Sequence, residues 1–262
     1  MSKSIKAIFL FSLIFLMSLF NARAAKQDFY QIKIYHLNSD AQEKAVDDYL
    51  QKAYLPALHR FGIDKIGVFK PVLSDAALPA EKLIYVFIPL KSFNSILALN
   101  EKLAKDKQYV IDGKAYLDAP YNDAPYERLE SIVLKAFAEA PNFMLPKLKS
   151  PMKERIYELR SYEAPTEKYF QNKVEMFNKG DEIGLFKRLG FNAVFYGEVL
   201  AGSHMPNLMY LTTFENKADR DAHWKAFSAD DYWKKLSAMQ NYQNNVSKND
   251  TKFIYPTDYS DI

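Results

Sequence analysis

The sequence predicts an α+β protein built from two tandem ferredoxin-like (βαββαβ) units packed sheet to sheet. Three observations predict it. The second half repeats the first: Tyr30, Ile32, Lys33 and Tyr35 return as Tyr157, Leu159, Arg160 and Tyr162, and Arg60-Phe61-Gly62-Ile63 returns as Arg188-Leu189-Gly190-Phe191. Leu83-Ile84-Tyr85 likewise returns as Leu208-Met209-Tyr210. A repeat of roughly 110 residues is the size of a domain, not of a solenoid unit. Within each half the hydrophobic period switches in the order strand, helix, strand, strand, helix, strand. The chain is also rich in aromatics, with 18 Tyr and 19 Phe. An antiparallel sheet bearing such side chains needs both faces covered; helices cover one, so the second sheet is expected on the other.

Each element has its own reason. Residues 29–36 alternate, with Tyr30, Ile32 and Ile34 on one face and Gln31, Lys33 and Tyr35 on the other, which reads as a strand. Asp40 and Glu43 have capping-box spacing and start a helix whose apolar residues run to Phe61. Pro56 is expected to kink that helix, and Gly62 to end it. Strands at 65–73 and 83–89 flank a turn-rich stretch, a helix covers 93–105, an irregular segment covers 112–126, and a strand closes the unit at 129–137. The second half gives a strand at 155–162, then a helix capped by Thr166 and interrupted near Gly180. Strands at 191–200 and 208–214 follow, then helices at 217–227 and 232–242 and a closing strand at 252–256. The units are placed at 25–140 and 153–262; the linker, 141–152, carries Pro141, Pro146 and Pro151.

The N-terminus reads differently. Lys3 and Lys6 precede an uncharged run over 7–20, and Ala22-Arg23-Ala24 follows, the order of parts in a secretory signal peptide over 1–24. That run is shorter than the about 20 residues of a membrane span, so cleavage after Ala24 and a periplasmic or secreted location are expected, with an uncleaved anchor as the alternative. Cysteine is absent, which excludes disulfides, thiolate metal sites and cysteine nucleophiles. A net charge of +3 from interspersed ions does not suggest a nucleic-acid surface.

Strand alternation puts Glu158, Arg160 and Tyr162 on one face, matching Gln31, Lys33 and Tyr35. Placed on the face that meets the other sheet, these residues with Tyr85 and Tyr210 form a candidate polar pocket for a small molecule. The alternative is that Glu158 and Arg160, two apart on one face, are a structural ion pair. Among the histidines, His36 shares the Tyr30 face, His59 sits near a helix end, His204 lies in a hairpin loop, and His223 adjoins Trp224 on a helix. None has an ionisable partner at recognisable spacing. No G-x-S-x-G, P-loop, G-x-G-x-x-G or H-E-x-x-H occurs, no metal site is indicated, and no cofactor is expected.

The segments Tyr157-Glu158-Leu159-Arg160-Ser161-Tyr162, Arg188-Leu189-Gly190-Phe191-Asn192, Leu208-Met209-Tyr210 and Arg220-Asp221-Ala222-His223-Trp224, with Asp231-Tyr232-Trp233, make the second half resemble the NIPSNAP family. The first half is a degenerate copy, with neither tryptophan nor a counterpart of the Arg-to-Trp segment. The resemblance implies a dimeric α+β barrel, here formed within one chain, and implies no reaction. Families sharing that barrel include cofactor-free monooxygenases and haem proteins. The expectation is therefore an exported, non-catalytic binding or interaction protein. A small-molecule enzyme, monooxygenase-like or haem-associated, with its pocket between the sheets is the alternative. A small ligand and self-association are the partners this reading allows.

Overall fold

The computed structural model describes residues 26–72 and 82–262. The expected leader lies outside them. Eight strands form a closed barrel: β1 (Phe29–Leu37), β2 (Gly67–Pro71), β3 (Lys82–Leu90), β4 (Arg128–Ala136), β5 (Ile156–Glu163), β6 (Asn192–Ala201), β7 (Asn207–Phe214) and β8 (Lys248–Pro256), in the spatial order β1-β3-β2-β8-β5-β7-β6-β4. Each half supplies four antiparallel strands in equivalent order. Two antiparallel seams, β2 with β8 and β4 with β6, join the halves. Sheet-to-sheet packing is thus achieved by fusing the edges, which leaves no unpaired strand among the eight.

Helices cover the outside. The first unit carries α1 (Asp40–Tyr49), a π turn (Leu50–Tyr54), α2 (Leu55–Arg60), α3 (Phe93–Lys105), α4 (Lys107–Asp112) and α5 (Lys114–Leu117). The second carries α6 (Glu167–Asn178), α7 (Glu182–Arg188), α8 (Lys217–Ala229) and α9 (Asp231–Ser237).

Local chemistry adjusts several expectations. Ser39, not Asp40, caps α1, accepting the Gln42 N–H at 3.2 Å while the Gln42 side chain accepts the Asn38 N–H at 2.9 Å. Pro56 has no N–H for the Lys52 carbonyl; the helix absorbs this in the π turn, where the Leu55 N–H reaches back to Leu50 O. Thr166 precedes α6 without a side-chain capping bond. The segment expected to be irregular contains α5, and the last helix stops at Ser237 before a short 3₁₀ turn (Gln240–Tyr242). Gly62 does end α2, at φ 79°. At Gly67 a Cβ would come 2.3 Å from the Phe69 ring, so only glycine lets that ring fold back over β2.

Three apolar layers result. Two lie between sheet and helices, one per unit. The third fills the barrel: Tyr30, Phe69, Phe87, Tyr157, Phe195 and Leu211 are all buried there. An eight-stranded barrel is just wide enough to be filled by side chains, and large aromatics fill it. Phe195 stacks on Phe87 at 5.0 Å between ring centroids and meets Tyr30 at 5.1 Å. Truncation of this keystone, Phe195→Ala, is expected to lower unfolding stability by about 3–5 kcal/mol. Urea denaturation reads it; a loss under about 1 kcal/mol would mean that the barrel centre is not closely packed.

Candidate functional site

The interior face of β1 bears Tyr30, Ile32, Ile34 and His36, and that of β5 bears Tyr157, Leu159, Ser161 and Glu163. Consequently the charged set expected between the sheets lies on the opposite face, under the helices. Glu158, Arg160, Tyr162 and Tyr210 point toward the helices of the second unit, Lys33 and Tyr35 toward those of the first. Tyr85 alone of the seven faces the barrel interior. The structure therefore separates these residues into three places. The physical reason is that β1 and β5 are covered on both sides, by the opposite sheet and by helices: alternation divides residues into two faces but does not say which face helices cover.

Under the helices the polar residues form a saturated network. The Glu158 carboxylate, fully buried, accepts from Arg160 Nε at 2.7 Å, from Arg220 Nε and Nη2 at 2.8 Å each, and from Trp224 Nε1 at 2.7 Å. Arg220 and Trp224 lie one helical turn apart on α8, so both reach the same carboxylate. The Arg160 guanidinium stacks 3.8 Å above the Trp224 ring and donates from Nη1 to the Tyr162 hydroxyl at 3.0 Å, which bonds Tyr210 at 2.7 Å. The structural ion pair is thus present, and larger than two residues. Burial pushes the Glu158 carboxyl up, but the Arg220, Arg160 and Trp224 donors outweigh it and hold the carboxyl below its ordinary value. Nearby, buried Lys173 pairs with Glu182 at 2.8 Å, and burial keeps the Glu182 carboxyl above its ordinary value despite that lysine. Every acceptor site of Glu158 is used, so this carboxylate ties α8 to the sheet and has no lone pair left for a ligand.

The candidate site is instead the open end of the barrel. A cavity of about 210 Å³ lies there. Ile34, Leu83, Ile132, Leu159 and Met209 supply apolar lining; Tyr85, Ser161, Asn207, Asp250 and Lys252 supply polar lining. Two histidine–carboxylate pairs complete it. His36 Nε2 lies 2.6 Å from Glu130 Oε1, and His204 Nδ1 lies 3.5 Å from Glu163 Oε1. The β6–β7 hairpin spans the mouth: Ser203 Oγ donates to Glu130 at 3.2 Å while its neighbour His204, in the left-handed region at φ 63°, faces Glu163. Asn207 is nearly fully buried. Its Nδ2 donates to Ser161 Oγ at 2.8 Å, and its Oδ1 is buried without a hydrogen-bond partner among the described residues.

Sequence reasoning placed His36 on the correct face but missed Glu130 and Glu163, which reach the histidines only across strands and loops. Ser161 and Glu163 continue the Tyr157–Leu159 alternation, the one signal that could have found them. A haem does not fit. His59 is bonded to Asp261 at the surface and His223 packs on Phe191 and Phe214. The two cavity histidines are turned to carboxylates, in a cavity of about 210 Å³. No group of three or more metal-ligating side chains occurs among the described residues.

Comparison with known proteins agrees with this architecture. Residues 157–261 match the NIPSNAP family model. No curated protein sequence matches the chain. A candidate monooxygenase from Fusobacterium nucleatum superposes with a TM-score of 0.57 at 10% identity, covering 88% of this chain and 93% of that one. Another, from Lactobacillus acidophilus, gives 0.54 at 10% identity over 88% and 94%. A NIPSNAP family protein from Agrobacterium tumefaciens gives 0.36 at 19% identity over 41% and 97%. The first two show the fold, a dimeric α+β barrel within one chain.

The matched stretch contains the whole Glu158 network. Glu158→Gln leaves two mostly buried guanidinium groups without their anion, and a loss of about 3–5 kcal/mol is expected. Because the folded carboxyl titrates below its unfolded value, its contribution is full above about pH 4.3 and disappears as pH falls through the lower folded value. Denaturation of wild type and variant should therefore differ at pH 7 and converge in strong acid. A difference that stays constant with pH would show that Glu158 acts through shape alone.

Proposed function

We propose that this protein is an exported, non-catalytic binding protein that holds a compact, hydrogen-bonding small molecule in the open end of its barrel. The observation that carries this reading is the cavity itself, where the apolar wall of Ile34, Leu83, Ile132, Leu159 and Met209 meets Ser161 and the two histidine–carboxylate pairs. The cavity corresponds to roughly seven waters at about 30 Å³ each, which sets the scale of the ligand. Its apolar lining favours a hydrocarbon body, and its polar rim favours a head that exchanges hydrogen bonds with Ser161 and the histidine–carboxylate pairs. The export part of the reading rests on the order of basic, apolar and A-x-A segments at the N-terminus.

One observation favours an enzymatic reading. The pairs His36–Glu130 and His204–Glu163 line one cavity, and an imidazole beside a carboxylate is a recurring general acid–base arrangement. The likeness to candidate monooxygenases supports the barrel and not the chemistry.

Native mass spectrometry of protein purified from its own host is expected to show a retained low-mass molecule. Met209→Trp should fill the cavity and abolish that adduct with the fold retained. Recovery of a chemically altered molecule after aerobic incubation would favour the enzyme. Absence of any adduct in the wild type would remove the binding reading. N-terminal sequencing of the same material should begin at Ala25; a chain that retains Lys3 would overturn export by cleavage.

A further inference from the structure

The segment that leaves β4 is strapped along β6 before it reaches the second unit. The Phe137 N–H donates to Tyr196 O at 3.0 Å, the Met144 N–H to Val194 O at 2.9 Å, and the Lys147 N–H to Asn192 Oδ1 at 3.3 Å. Between this strap and α7 runs a groove of about 620 Å³. A β-bulge shapes its floor. The register of β6 against β7 shifts between Ala193 and Phe195, so Val194 and Phe195 both turn into the barrel while Ala193 and Tyr196 both turn toward the helices. Small Ala193 leaves a hollow between Phe191 and Tyr196, walled by Ile183 of α7 and Met144 of the strap.

The charges in this groove are unevenly placed. Lys147 and Lys187 line the Asn192 end, where the last turn of α7 leads into β6. Glu139 lies toward the opposite end, where its N–H is held by Asn178 Oδ1 at 3.0 Å. None of the three forms an ion pair among the described residues. Both lysines are exposed at the rim, so the entry is open to solvent.

The first repeat shows what answers such a place. There the residues after β8 lie along β2 in the same manner, the Thr257 N–H donating to Val68 O and the Asp261 N–H to Ile66 O, each at 2.9 Å. The Asp261 carboxylate turns to α2 and lies 2.9 Å from His59 Nε2, while Tyr259 packs on the apolar layer beside it. His59 holds in α2 the position of Lys187 in α7, each immediately before the arginine of the repeated Arg-x-Gly corner. In the first repeat, then, the chain itself brings a carboxylate and an aromatic ring to the helix. In the second, the strap residue bonded to β6 at the matched place is Met144, which brings no acid.

We propose that this groove binds a small organic acid with an apolar body, its carboxylate between Lys147 and Lys187 and its body over Ala193. Glu139 repels the acid from the other end and so fixes the direction in which it lies. The stretch from Asn192 to Tyr196 spans about 13 Å at ordinary strand rise, which sets the reach of the body. The groove shares no lining residue with the cavity at the barrel end, so it is a second site.

Isothermal titration of the full chain with octanoate, octanamide and octylamine tests this. Octanoate should bind, octanamide on the order of tenfold more weakly for want of the charge, and octylamine more weakly still. Replacing both rim lysines, Lys147→Gln with Lys187→Gln, should bring octanoate down to the octanamide value and leave octanamide unchanged. A fall in both, the mark of a structural effect, would count against the site. Met209→Trp, which fills the barrel end, should leave octanoate binding intact. Octanoate binding that survives the double replacement, or that vanishes in Met209→Trp, would put the acid elsewhere and refute the proposal. Equal affinities for octanoate and octanamide would do the same, as would no binding of octanoate.

Discussion

The closure of the two repeats on each other is the constraint from which the remaining structure follows. Each unit ends in strand edges with unpaired N–H and C=O groups, β2 and β4 in the first and β6 and β8 in the second. Pairing β2 with β8 and β4 with β6 satisfies all four edges at once. A ring of eight strands then encloses a space that side chains must fill, which accounts for Tyr30, Phe87, Tyr157 and Phe195 in the interior. Along β3 and β7, where closure buries the inner face and helices cover the outer one, neither side is a cheap place for an unpaired charge.

The polar residues sort according to who can answer them. Glu158 and Arg160 sit on the helix side because α8 brings Arg220 and Trp224 within hydrogen-bonding distance, and the inside of the barrel has no such donors in its middle. At the barrel end the strands run out, and His36, Glu130, Glu163 and Asn207 can be polar while still lining a cavity. Both repeats carry the corresponding strand and covering helix, but only α8 bears an arginine and a tryptophan that bond the strand's carboxylate. In the first, a cluster of tyrosines takes that space, with Tyr49 and Tyr116 stacked at 3.7 Å and Tyr49 bonded to Tyr109 at 2.8 Å. Lys33 lies among them against Tyr54, with no carboxylate partner among the described residues.

Much of the fold was legible in the sequence. Tyr30-x-Ile32-x-Ile34 and Tyr157-x-Leu159 carry the period-two signal that fixes β1 and β5, and the Arg-x-Gly corners at Arg60 and Arg188 fix where helices return to strands. The Glu158–Arg160 pair was also legible, since two charges on one buried face need each other. What could not be read was Glu158's attachment to Arg220 and Trp224, sixty residues and more away in the chain, nor the meeting of Glu130 with His36 across β4 and β1.

By itself, then, the sequence determined the duplication, the order of elements and the membership of each strand face, because repeats and periods are local properties of a chain. Only the tertiary structure decided which face looks into the barrel. Both faces are buried, one by helices and one by the opposite sheet, so the same alternation fits either choice. The decision comes from which buried groups find partners, and partners are set by contacts between residues far apart in sequence.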